Sequence, residues 1–159
     1  MQLNFFMAKF VTKTVSAVKG KQKFKALVIV DDKVDAVALQ NDINEKEENG
    51  KEVTNLSVLD NYENELEAKY KSPYLRIIGN MNRVANLQSV SQDKFKDITP
   101  NKDDVAEYEF KYGDLRVYTI KVPDGQLVML GGYKNKQTKN ISEFRSRKKE
   151  YLNYLKSVR

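Results

Sequence analysis

Five cations, Lys111, Arg116, Lys134, Lys136 and Lys139, fall within a short stretch of chain that has no other arginine. Lys111 and Arg116 flank the turn signal Tyr112-Gly113-Asp114, so a short hairpin loop would hold them close together. Lys134, Lys136 and Lys139 follow the end of the next apolar run. Cations fixed in this way suit chemistry in which negative charge develops on phosphate oxygens. Arginine adds planar, two-pronged recognition of such oxygens, which lysine lacks. In RNA the neighbouring 2′-hydroxyl is a built-in nucleophile. A site without metal or histidine could then cleave RNA by positioning and charge stabilisation, with a lysine or tyrosine assisting proton transfer. Strand-end lysines also serve simply to solvate a sheet edge and block edge pairing. On the residues alone both readings stay open.

The aromatic residues of the same stretch point the same way. Tyr112 and Tyr133 stand beside these cations, and rings next to cations suit stacking of single-stranded bases. Tyr108 and Tyr118 thread the same segment, but tyrosine is common in strands for packing reasons alone. Arg116 shares its alternation with Tyr118 and Ile120, which places it on the side of a strand that is usually buried.

Charge is distributed unevenly. Residues 111–159 hold 12 Lys and Arg against 4 Asp and Glu, a local excess of +8, whereas the rest of the chain is slightly acidic. The whole chain carries +6, and this one-sidedness is the electrostatic footprint expected of a polyanion binder, with a solubilising charged face as the alternative. There is no Cys and no His. That excludes disulfides and thiolate chemistry, removes the usual general acid/base at neutral pH, and makes a structural zinc site untenable. No metal or other cofactor is expected. No apolar run is long enough to span a membrane. The N-terminus lacks the pattern of a signal peptide, because Lys9 and Lys13 interrupt its apolar residues. The expectation is a cytoplasmic protein with no membrane contact, and Met7 is a second candidate start.

The elements that must position these residues follow from periodicity. A length of 159 residues suits a single domain. Residues 9–18 alternate loosely, and FKALVIV at Phe24–Val30 reads as a buried strand, so the two could pair as a hairpin across Gly20. Residues 35–50 read as exposed helix or loop, with Glu45, Glu47 and Glu48 as surface rather than a carboxylate site. Helical spacing runs from Asn55 to Tyr70. A second helix is expected from about Pro73 to Ser89, capped by Ser72. Around Pro100 the chain reads as a loop. The period then changes to two: Glu107–Tyr112, Leu115–Val122 and Gln126–Leu130 form an antiparallel meander. Gly131-Gly132 suggests a bulge or a close backbone approach. A last helix is expected from Asn140 to Arg159, with a capping box formed by Asn140 and Glu143. Its apolar face comprises Phe144, Tyr151, Leu152, Leu155 and Val158, with Arg145, Arg147, Lys148 and Lys149 off that face. The expected fold is α+β, an antiparallel sheet made of the C-terminal meander and an N-terminal strand or hairpin, packed with helices.

One segment resembles a known family. GDLRVYTI at Gly113–Ile120, LVMLGGYKNKQTK at Leu127–Lys139 and the following ISEF are similar to the C-terminal half of the RelE/HigB toxins of bacterial toxin–antitoxin modules. The phage-associated HigB branch is the nearest in pattern. The match covers about 45 residues, and the helices within 60–92 occupy the place of the family's helical pair. Residues 1–59 form an extended N-terminal part that does not align beyond one strand. The resemblance implies a small α+β protein with helices packed on a twisted antiparallel sheet. It implies ribosome-dependent endoribonuclease activity on mRNA, with a helix-turn-helix antitoxin as partner. Relatives called ParE inhibit gyrase instead, and an inactive homologue held by its antitoxin is a further alternative. Carried over residue by residue, the family's strand arginine falls on Arg116, its pre-turn basic residue on Lys111, and its exit cluster on Tyr133, Lys134 and Lys136. Arg116, Lys111, Lys134 and Lys136 are thereby the catalytic candidates. Tyr133, Lys139 and Tyr112 are the RNA-binding candidates.

Overall fold

A computed structural model describes residues 8–102 and 104–158. The candidate start at Met7 lies outside the described residues. The fold is α+β, with four helices and one six-stranded sheet among the described residues. The strands are β1 (Lys9–Thr14), β2 (Lys23–Val30), β3 (Phe95–Asp97), β4 (Glu107–Tyr112), β5 (Leu115–Val122) and β6 (Gly125–Tyr133). The helices are α1 (Ala36–Glu48), α2 (Val58–Glu65), α3 (Lys71–Ala85) and α4 (Gln137–Ser157). Short 3-10 turns at Ala68–Tyr70 and Lys134–Lys136 lead directly into α3 and α4.

The sheet order is β1-β2-β6-β5-β4-β3. The hairpin across Gly20 forms, pairing Lys9 with Val30 through Thr14 with Lys25. The meander β4-β5-β6 is antiparallel, with a register shift at Tyr118/Thr119 that leaves Met129 as the extra residue of β6. The sheet is mixed, however, and not antiparallel throughout: β2 and β6 run parallel from Lys23↔Gly125 to Ala26↔Val128. Each strand's direction is set by its own hairpin. The seam between the hairpin and the meander is then set by the long excursion through α1, α2 and α3, which period-two patterning does not encode. The short strand β3 at the opposite edge stands where the sequence reads as loop. It is three residues long, and Phe95 is held by stacking on Tyr108 and packing on Phe110 rather than by any pattern of its own.

Two apolar cores lie on the two faces of the sheet. On one face α2 and α3 bring Leu59, Tyr62, Tyr74, Ile77 and Met81 against Phe24, Phe110, Leu115 and Val117. On the other, α1 and α4 bring Ile43, Phe144, Tyr151 and Tyr154 against Leu27, Tyr118, Ile120 and Met129. α1 runs along the outer strand. Gln40 accepts from the Thr12 N–H and donates to the Thr12 carbonyl, and Glu47 accepts from the Thr14 N–H, so helix side chains close an edge that would otherwise be free to pair. Glu47 therefore has a structural partner and is not merely solvated.

Three helix readings need correction. α2 starts at Val58 under a capping box in which Ser57 and Asp60 bond each other's backbone N–H. α3 starts at Lys71, not Pro73, because the 3-10 turn feeds straight into it; Pro73 sits in the first turn, where a missing N–H costs nothing. α4 likewise starts at Gln137. Asn140 lies inside it, and its side chain accepts from the Tyr133 N–H instead of capping.

The cations of α4 do not all stand off in solvent. Lys148 lies in the buried stripe between Phe144 and Tyr151, and its Nζ is 2.8 Å from Glu107 Oε2 and 2.6 Å from the Val105 carbonyl. Arg145 bonds the other Glu107 oxygen at 2.9 Å, and Arg147 donates to the Met129 carbonyl. Glu107 is 2% exposed, so a charge from α4 had to meet it. On the apolar side, Tyr154 is buried, Leu152 and Leu155 are half-buried, and Val158 is exposed.

Removing one partner of a buried ion pair costs ~3–5 kcal/mol when the other is left uncompensated; Glu107 keeps its bond to Arg145 when Lys148 is lost, so the lower end of that range is the ceiling. Lys148→Ala should therefore lower the unfolding free energy by up to ~3 kcal/mol in urea titrations. The double variant Glu107→Leu/Lys148→Met should recover most of the loss. A single-variant loss under ~1 kcal/mol would mean that the pair is not buried in solution.

Candidate nucleic-acid interface

The candidate residues gather at one end of the sheet, where the β4–β5 turn meets the end of β6. Tyr112↔Leu115↔Tyr133 forms one row across three strands, and Lys111↔Arg116↔Gly132 forms the next. The Lys134 N–H donates to the Asp114 carbonyl at 2.8 Å and ties the turn to the strand exit. Gly113 has a φ of +55°, the left-handed conformation that this tight reversal requires.

The cluster does not lie on one face of the sheet. Lys111 and Arg116 are on the α4 side, and Tyr112 and Tyr133 are on the α2/α3 side. Lys134, Lys136 and Lys139 are exposed on the 3-10 turn and first turn of α4, beyond the strand. Alternation explains the split: adjacent residues of a strand point to opposite faces.

Arg116 is only 7% exposed. Its Nη1 donates to the Gly113 carbonyl at 2.7 Å and the Leu115 carbonyl at 2.8 Å, while its Nε is buried without a partner. The guanidinium is thus folded back onto its own turn. It shares its face with Tyr118, as its alternation with Tyr118 and Ile120 requires. The Tyr118 hydroxyl is pushed well above the usual tyrosine range, first by burial and then by the carboxylate of Glu109 on the facing strand. Glu109 is itself 1% exposed and accepts from Gln137 Nε2 at 2.8 Å. Glu109 and Glu107 were recoverable from the alternation EYEFKY, which puts both on one face with Lys111. Their burial depends on α4 crossing above them, which no local pattern records.

Tyr112 already has cations on its ring: Lys94 Nζ is 4.6 Å and the Arg76 guanidinium carbon 6.0 Å from its centroid. Both come from outside the motif, from the approach to β3 and from α3. Tyr133 packs on Tyr62 and Tyr70 with centroids 6.0 and 5.7 Å apart. Its hydroxyl is raised by burial and by the neighbouring Tyr70, Glu65 and Glu67, so it stays protonated and can donate but is a poor base.

Among the described residues no group of three or more acidic side chains is placed to hold a metal ion, and no helix is long and apolar enough to cross a membrane. Comparison of the chain with protein families, curated proteins and solved structures returned no match.

Two predictions follow from this geometry. Arg116→Ala removes charge-assisted hydrogen bonds to two carbonyls, each bond worth ~1.5–3 kcal/mol, so it should cost stability on that order as well as charge. A change below ~0.5 kcal/mol in urea denaturation would place the guanidinium free of the turn. Tyr62, Tyr74 and Tyr118 are all raised above the ordinary value of 10.0, chiefly by burial. The folded state therefore keeps three protons that the unfolded state releases near that pH. Their stabilising contribution is complete below pH 10 and declines as pH rises beyond it. Thermal melts between pH 8 and pH 11 should show the Tm falling above pH 10, with phenolate absorbance appearing together with unfolding. Full phenolate absorbance in the folded protein would contradict the burial.

Proposed function

We propose that this chain is an RNA-directed toxin of the RelE/HigB kind, acting on mRNA at the ribosome and held in check by a small antitoxin. The observation that carries the reading is the convergence at one sheet end of Lys111, Tyr112, Tyr133, Lys134 and Lys136, residues that come from two different strands and a turn. The α+β fold with a C-terminal meander, a helical pair on one face and a final helix on the other is consistent with it. Exposed Lys134, Lys136 and Lys139 would meet the RNA backbone, and Arg116 would stabilise the scissile phosphate on release from the turn carbonyls.

A second reading is favoured by a specific observation. The Arg116 guanidinium is spent on Gly113 and Leu115, which suits a non-catalytic homologue or a gyrase-directed relative better than a poised active site.

The test induces wild type, Lys134→Ala/Lys136→Ala and Arg116→Ala side by side, following growth and mRNA integrity, with melting curves to separate lost function from lost fold. The expected outcome is arrest with mRNA cleavage by wild type, relieved by either variant. Arrest with intact mRNA points to gyrase, and no arrest from folded wild type points to the non-catalytic homologue. In vitro, affinity for single-stranded RNA should fall linearly on logarithmic axes as salt rises, with a slope of ~0.7 per phosphate contacted, and the double lysine variant should flatten it by one to two contacts. Salt-independent affinity would remove the basic cluster from the interface.

A further inference from the structure

Tyr70, Asp114, Tyr133, Lys134 and Asn135 line a hollow of about 320 Å³ at the mouth of the same sheet end. This is the lower end of the range for small-molecule sites, ~300–1,000 Å³. Resting on the RNA-binding reading, we propose that this hollow is a base-specific subsite that takes one unstacked guanine of single-stranded RNA.

The walls are preorganised. Four tyrosines form a ladder of rings, Tyr74–Tyr62–Tyr133–Tyr70, at centroid spacings of 6.3, 6.0 and 5.7 Å. The inner two are buried, and the Tyr62 hydroxyl donates to the Gly132 carbonyl at 2.8 Å, which locks the ladder to the sheet. The outer two, Tyr70 and Tyr133, are half-buried, so each keeps part of its ring at the opening. Lys69 lies 5.0 Å from the Tyr70 ring at the rim and is paired with Glu67 at 3.8 Å. Rings held in this way lose little entropy when a base packs on them.

The acceptor in the hollow suits a base edge. Asp114 lines the hollow beside Lys134, whose N–H it accepts through its carbonyl, and its carboxylate makes no hydrogen bond or ion pair among the described residues. Glu65 and Glu67 are close enough to raise the Tyr133 hydroxyl. An unpartnered carboxylate at this position accepts from N–H donors, while Lys134 beside it would face a phosphate. A carboxylate has two acceptor oxygens. Among the bases, guanine alone offers it two parallel donors on its Watson–Crick edge, N1–H and the 2-amino group. Uracil flanks its single N–H with two carbonyls, and adenine and cytosine present one amino group beside an acceptor. Lys134 is then left for the adjoining phosphate, and the Asn135 amide for the base oxygen.

The experiment titrates the full chain into fluorescein-labelled oligouridylates of eleven nucleotides that carry a single central guanosine, inosine or adenosine, and reads anisotropy at low salt. Guanosine should bind about tenfold more tightly than adenosine, the scale of one bidentate base contact, with inosine between because it lacks the 2-amino group. Asp114→Asn, an exposed change that leaves the fold alone, should erase the preference. Tyr70→Ala, checked by its melting curve, should weaken all three RNAs about fivefold or more. Equal binding of the three RNAs by wild type overturns the guanine subsite while leaving RNA binding intact. A guanosine preference that survives Asp114→Asn overturns the assignment to this hollow. Absence of binding to any of the RNAs overturns the RNA-directed reading and the subsite with it.

Discussion

The fold turns on the close approach at Gly131-Gly132, where the central strand β6 is pressed from both sides. A side chain at Gly131 would run into the Tyr62 ring at 2.3 Å, and one at Gly132 into the Asn140 side chain at 2.3 Å. The absence of both lets α2 and α4 sit down on opposite faces of the same two residues. The contacts are also polar: Tyr62 donates to the Gly132 carbonyl, and Asn140 accepts from the Tyr133 N–H. This clamp decides where β6 ends, and therefore where Tyr133 and Lys134 leave the sheet. The position of the β4–β5 turn follows, because Lys134 bonds back to Asp114. The whole candidate interface hangs on two missing side chains.

A second constraint concerns charge. The basic excess of the C-terminal part is divided between two uses. Lys148 and Arg145 neutralise the buried Glu107, while Arg147 and Arg116 satisfy backbone carbonyls. These four hold α4 and the β4–β5 turn in place. Arg147 illustrates the cost, since burial lowers its affinity for its proton below the ordinary arginine value. At the sheet end, Lys134, Lys136, Lys139 and the half-exposed Lys111 are left for a polyanion, joined by Lys69, Arg76 and Lys94 from segments outside the basic tail; exposed Lys121, Lys149 and Lys156 lie elsewhere in the tail. Net charge thus overstates the surface available from the tail and misses the contribution of the helices.

Much of the architecture was legible in local pattern. The strands Phe24–Val30 and Leu115–Val122 declare themselves by β-branched composition and period two, and α3 declares itself by the apolar stripe through Tyr74, Ile77, Ile78 and Met81. Tyr112-Gly113-Asp114 marks a turn because only glycine relaxes into a positive φ at no steric cost. The paired glycines signalled close approach, and Arg116 its buried side. Less of the site was legible. Tyr70 looked like the tail of a helix and Asp114 like turn punctuation, and the burial of Glu109 was not visible in its own strand. Each acquires its neighbours only when segments far apart in the chain are brought together.

The sequence by itself determined the element types, the turns, the asymmetry of charge, and the absence of thiol and imidazole chemistry, because each depends on a residue and its near neighbours. Tertiary structure alone decided that β2 runs parallel to β6, that Lys148 belongs to the core stripe and that the Arg116 guanidinium closes on its own turn. It also put Tyr70 and Asp114 in one hollow with Tyr133. The physical reason is common to all of these. Burial and pairing of polar groups are properties of two surfaces that meet, and a chain read one segment at a time carries only one of them.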